Sequence, residues 1–125
     1  MLTGRINRQG EPVVSIQLIL RSRPAGYPAI IDTGFNGDLQ LPEDCQGQLN
    51  LTYAGTESWV LANNQVVQED SFWTQVPFDG EIESVSVSFY VASEILVGTH
   101  FLRNHRLTVD FVARTVRLER VAPIH

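Results

Sequence analysis

Lysine is absent from this 125-residue chain: all nine basic residues are arginine, set against fourteen acids for a formal charge of −5. A phosphate-binding surface needs clustered positive charge, so this balance argues against a nucleic-acid partner. The one cysteine, Cys45, excludes an internal disulfide and a cysteine-based zinc site. A reducing cytoplasm is the compartment it points to. The longest strongly apolar run, residues 13–20, is broken by Ser15 and Gln17, whereas a membrane-spanning helix needs about 20 apolar residues. The first ten residues, MLTGRINRQG, lack the apolar core of a secretory signal. Neither a membrane partner nor export is expected. With no repeat, low-complexity tract or linker, residues 1–125 read as a single domain.

The charges that are present are segregated. Residues 1–23 carry +3, residues 24–102 carry eleven acids and no base, and residues 103–125 carry +3. Solvated faces account for such a pattern. The sharper expectation is that basic ends meet the acidic middle, within the chain or between subunits.

Hydrophobic periodicity is two rather than 3.6. Val14, Ile16, Leu18 and Leu20 form one alternating run, and Val85, Val87, Phe89 and Val91 a second. Leu107, Val109 and Phe111 form a third, with Val116 and Leu118 following a turn near Ala113. Turn signals fall at Pro24 to Gly26, Asn36-Gly37, Asn63-Asn64 and Asp79-Gly80. Short strands separated by turns indicate an all-β barrel or sandwich. Helix is expected at two places only: one turn at Pro42-Glu43-Asp44, and a short helix in the C-terminal third between Gly98 and Asn104.

One segment carries chemistry. In Ala29-Ile30-Ile31-Asp32-Thr33-Gly34 an apolar strand ends in a carboxylate, a hydroxyl and a glycine. Aspartate is depleted from strands. Its bland role here is to close the strand, its side chain bonding a backbone amide two residues on. A second apolar run, Ile95-Leu96-Val97-Gly98, also ends in glycine and precedes the short helix.

The stretches IIDTGFNGDLQLP at 30–42, WVLANNQVV at 59–67 and ILVGTHFLRNHRLTVDF at 95–111 resemble the single-domain retropepsin-like aspartic proteases, in particular a microbial group with an Asp-Thr-Gly-Phe motif. The resemblance implies a retropepsin-like closed barrel, the acid protease fold. It implies that Asp32 is the catalytic carboxylate, that Thr33 locks two active-site loops together and that Gly34 lets the backbone approach substrate. It further implies a flap whose tip is Leu61, Ala62, Asn63 and Asn64, and substrate pockets shaped by Phe35, Asn36, Leu96 and Val97. No cofactor and no metal are implied.

Physical need adds a condition. Hydrolysis of a peptide by water requires one group to take a proton and another to give one, and two adjacent carboxyls sharing a proton supply both. The sequence holds one Asp-Thr-Gly and no second copy. A twofold homodimer places Asp32 opposite its own mate, so an aspartic endopeptidase reading requires a homodimer acting on a peptide or protein substrate. The alternative is a catalytically weak or inactive protease-like module that binds peptides or regulates a partner; Phe35 after the motif and a flap tip without glycine motivate it. Terminal strands that interleave in retroviral relatives would here bring +3 against +3. His100, His105 and His125 have no helical spacing that makes a metal site. Cys45 beside Glu43 and Asp44 reads as inert.

Overall fold

The computed structural model describes residues 1–21 and 23–121; Ser22 and residues 122–125, His125 among them, lie outside the described residues. Ten strands follow in order: β1 (Leu2–Ile6), β2 (Pro12–Leu20), β3 (Arg23–Ile31), β4 (Leu39–Pro42), β5 (Thr52–Val60), β6 (Val66–Phe78), β7 (Glu81–Tyr90), β8 (Ile95–Val97), β9 (His105–Asp110) and β10 (Thr115–Arg120). They form one sheet in the order β5-β6-β7-β4-β8-β3-β2-β1-β10-β9. The class is all-β. Among the described residues the sheet does not close on itself: β5 and β9 are its edges. It curls enough for β2 to pack against β6.

The alternation read from the sequence is the alternation of burial. Val14, Ile16 and Leu18 of β2, Val85 and Val87 of β7, and Val116 and Leu118 of β10 all point into one core with Leu39, Leu41, Val76 and Phe101. Near the end of β3 the pattern changes, and Ala29, Ile30 and Ile31 are all buried. There β8 joins β2 as a second neighbour of β3, and the strand is covered on both faces.

Several local expectations are corrected. Pro24 to Gly26 do not turn; they lie within β3, opposite Ile19, Leu18 and Gln17, and the reversal begins at Arg21, whose φ is 49°. β8 pairs with β3 only at Ala29 to Ile31, so one side of the earlier half is open, where a proline without an N–H is tolerated. Asn36-Gly37 is part of a longer loop, not a hairpin. Asp79-Gly80 is the tight β6–β7 turn, with φ of 50° and 84° as such hairpins require. Val91 and Phe111 fall outside their strands and are exposed. The C-terminal helix is a four-residue 3-10 segment, Phe101–Asn104, and a second, Glu43–Gln48, extends the single turn expected there. The one glycine within that second segment, Gly47, does not stop it.

Basic ends do meet acidic middle segments within the chain. Arg120 pairs with Glu83 and lies 3.3 Å from Glu81, and Arg103 approaches Asp38 at 3.8 Å. β1 and β10 pair in one chain with arginines staggered against threonines, Arg5 opposite Thr115 and Thr3 opposite Arg117. Like charges therefore do not face each other there.

His105 opens β9 from inside an aromatic cluster, stacked on Phe101 with ring centroids 5.7 Å apart and edge-on to Phe78 at 5.1 Å. Its ring nitrogens are shut from solvent and meet no partner with hydrogen-bond geometry. Burial, aided by Arg120, pushes its pKa down, and Glu83, the Phe101 backbone and Asp79 pull up without overcoming it. A depressed histidine contributes stability while neutral and loses it as pH falls through the ordinary value near 6.5 toward its folded value. The urea midpoint of the wild type should therefore fall further between about pH 7 and pH 5 than that of His105→Phe, which keeps the aromatic packing and cannot protonate. Equal losses in the two proteins would contradict this role.

Candidate active site

β8 lies between β3 and β4, parallel to the first and antiparallel to the second. Residues 32–38, which connect β3 to β4, must therefore arch over the end of β8, across two strand spacings or about 9.5 Å. The arch is pinned to the strand beneath it by four backbone hydrogen bonds. The Asp32 N–H donates to the Val97 carbonyl at 2.9 Å, Gly98 to Asp38 at 2.9 Å, Thr99 to Phe35 at 2.8 Å and His100 to Gly37 at 3.2 Å. The approach is close enough to explain Gly98: a Cβ there would sit 2.2 Å from the Gly37 carbonyl oxygen and 2.7 Å from the Phe35 ring.

Asp32 stands where the arch springs from β3 and is half-buried. Its carbonyl accepts the Phe35 N–H at 3.1 Å, and its side-chain Oδ1 accepts the Gly34 N–H at 2.9 Å. The strand-closing hydrogen bond anticipated for such an aspartate is present, and it holds the carboxylate in a fixed orientation. Thr33 and Gly34 are exposed. Gly34 is not among the glycines with positive φ; a Cβ there would lie 3.2 Å from the Asp32 carboxylate. The Phe35 ring folds back over Gly37 and Gly98 rather than reaching freely outward.

The arch forms the floor of a cleft of about 650 Å³ that begins at Gly34 and runs through Phe35 and Asn36 to Gln40. Glu57, Glu69, Ser71 and Trp73 of the β5–β6 hairpin form one wall, and Ser86 to Ser88 of β7 another. Glu57 and Glu69 are direct cross-strand partners. The tip of the same hairpin, Leu61 to Asn64, is exposed and lies outside this lining. It is a closed turn in which Leu61 N–H donates to Gln65 and Asn64 N–H to Leu61, both at 2.9 Å, with Asn64 at φ 65°. Leu96 is half-buried beside Ile30. Val97 has no exposed surface, so what it offers Asp32 is its carbonyl rather than its side chain.

The sequence reading missed Asp38, which is only 2% exposed. Its Oδ2 accepts the Ser86 N–H at 2.9 Å and the Ser86 hydroxyl at 3.3 Å, and its Oδ1 lies 2.6 Å from Nδ1 of His100. Arg103 adds positive charge at 3.8 Å. One carboxylate thus ties the arch to β7 and to the approach to the 3-10 helix, and neither oxygen is left for proton transfer. The available signal was an acid two residues into a turn and just before an alternating apolar strand. Among the described residues, no group of three or more His, Cys, Asp or Glu side chains is arranged to hold a metal. Burial first and Asp44 second push the Cys45 thiol up, which disfavours the thiolate a nucleophile needs. No helix among the described residues is long and apolar enough to cross a membrane.

No known family model matches the chain, and no curated protein matches it.

The arch predicts its own weak points. Gly98→Ala should lower stability by about 2 kcal/mol, because backbone rather than a flexible side chain must move. Asp38→Ala should cost about as much by stranding the buried Ser86 N–H, and Asp38→Asn less, since an amide oxygen still accepts it. Urea unfolding measures all three, and an Asp38→Ala protein as stable as the wild type would refute the tie.

Proposed function

We propose that the protein is an aspartic endopeptidase of the retropepsin-like kind, working as a homodimer in which Asp32 of each subunit faces its mate. The observation that carries this reading is the setting of Asp32: a partly exposed carboxylate, fixed by Gly34, at the spring of a pinned arch whose outer surface floors a peptide-sized cleft. Within one chain the nearest acid along the sequence, Asp38, is buried and committed to Ser86 and His100. The second carboxyl has to come from a second copy. In the assembled pair the open sheet would be completed into the closed, barrel-like body of that family, and the lone, raised-pKa cysteine suits a cytoplasmic setting.

The chemistry follows from two carboxyls sharing one proton. The ionised one takes a proton from a water molecule, whose oxygen attacks the peptide carbonyl carbon. The protonated one gives its proton to the carbonyl oxygen, leaving a neutral tetrahedral diol. Collapse of the diol breaks the C–N bond, and a proton passes to the departing amine. The exposed Thr33 hydroxyl would meet the second subunit, and the Phe35 ring over the glycines would narrow the cleft beside the scissile bond. Glu57 and Glu69, opposite each other on one wall, favour substrates with basic or neutral side chains there.

A second reading has one observation in its favour. The cleft is lined by a single chain, so a peptide could be held without any mate, as a binding or regulatory module requires.

Asp32→Asn separates the two. Asparagine can still accept the Gly34 N–H, so folding should be unchanged while cleavage of a mixed peptide library falls to background. Tenfold excess Asp32→Asn protein mixed and re-equilibrated with wild type should lower activity per wild-type chain about tenfold, since most wild-type subunits then lack an ionisable mate. Hydrolysis at the wild-type rate by the variant, or no loss on mixing, would rule the dimeric protease out; tight peptide binding without cleavage would favour the module.

A further inference from the structure

The sheet leaves two edges, β5 and β9, and an unpaired edge is a template for another strand. β5 is spoiled for that purpose: its register with β6 shifts between Tyr53 and Gly55, with Gly55 at φ 143°, and a bulge twists an edge away from partners. β9 has no such break, and all six residues keep one register with β10. Arg106, Thr108 and Asp110 share its exposed face, while Leu107 and Val109 lie half-buried against the core.

We propose that β9 is the docking edge for a second copy of this chain, pairing antiparallel with its twin about Thr108. The inference rests on the homodimer reading and gives that dimer its interface. With Thr108 opposite Thr108, Arg106 falls opposite Asp110 twice and Leu107 opposite Val109 twice. Opposite charges directly across a ladder attract, and the apolar face continues the core packing across the joint. An edge guarded against self-pairing carries charge that repels a twin; here the spacing of Arg106 and Asp110 does the reverse. Register is specified too. Centring on residue 106 or 110 sets like charges face to face, and centring on 107 or 109 leaves Arg106 or Asp110 opposite Thr108.

Two further observations fit. Seven positions separate Gly98, under the Asp32 arch, from His105, with one 3-10 turn between them, so the edge begins beside the arch that needs a mate. Phe111 and Val112, just past β9, are 64% and 97% exposed. The register carries Phe111 opposite His105 of the second copy, at the rim of the Phe101–Phe78 cluster.

Register-specific cross-linking tests this in a Cys45→Ser background. Residues directly opposite in an antiparallel ladder have Cα atoms about 4.5–5.5 Å apart, within disulfide range. Thr108→Cys should therefore oxidise to a covalent dimer. Arg106→Cys or Asp110→Cys alone should not, being offset from its own twin by about 13 Å, but the two mixed should cross-link to each other. By sedimentation, Arg106→Asp and Asp110→Arg should each raise the dimer Kd about tenfold or more, and the double swap should restore it. A dimer in which Thr108→Cys fails to cross-link, or in which the single swaps do not weaken association, overturns the β9 interface, as does a chain that stays monomeric. Cross-linking by Thr108→Cys in a dimer whose hydrolysis survives Asp32→Asn sinks the protease reading and leaves the interface standing.

Discussion

The crossing of residues 32–38 over the end of β8 is the constraint on which the site depends. A chain that must leap from β3 to β4 with another strand between them has few paths, and the four hydrogen bonds to residues 97–100 select one. Gly98 sets how low the arch sits, because any side chain there would strike the Gly37 carbonyl and Phe35. The low arch fixes the direction of Asp32 and gives the cleft its floor. Sequence, packing and chemistry meet at this crossing: a glycine lets the backbones touch, the touching fixes a carboxylate, and the fixed carboxylate can serve as an acid or base.

Charge supports the same arrangement from below. Burying a carboxylate is costly unless it is hydrogen-bonded and paired, and Asp38 is both, between Ser86 of β7 and His100 with Arg103 behind. The segregation of arginines toward the ends of the chain thereby acquires a purpose inside one molecule. Arg103 and Arg120 return to acids of the middle block. Exposed pairs such as Arg117 with Glu119 contribute little by comparison. The strong acid of the molecule's interior is structural, and the acid left partly open is Asp32.

Strands were legible because burial on one face enforces alternation, as in Val14-Ile16-Leu18 and Val85-Val87. The Asp32 loop was legible for a related reason: an aspartate ending an apolar run has no packing role to explain it. What was not legible depended on contacts distant in sequence. Asp38 resembles a turn residue until Ser86 and His100, 48 and 62 positions away, are seen to meet it. Pro24 and Gly26 resemble a turn until β3 is found to be open on one side at that point. The hairpin at 59–67 was read correctly as a hairpin, but its tip and its base differ in role, since cleft-facing residues come from Glu57 and from Glu69 to Trp73. Val97 reads as a pocket residue by position and proves to be wholly buried, serving Asp32 through its backbone.

A single carboxylate, however well oriented, cannot both take and give the protons that amide hydrolysis needs. The self-complementary spacing on β9 and the solitary Asp32 are two signs of the same requirement, one at the edge of the sheet and one at its centre. The most direct measurement is the separation of the two Asp32 carboxyl groups in a crystal structure of the assembled protein. The account predicts oxygen atoms within hydrogen-bonding reach of each other, about 3 Å, with a water between the two groups and the substrate cleft. Carboxyl groups lying on opposite sides of every assembly the protein forms would contradict it.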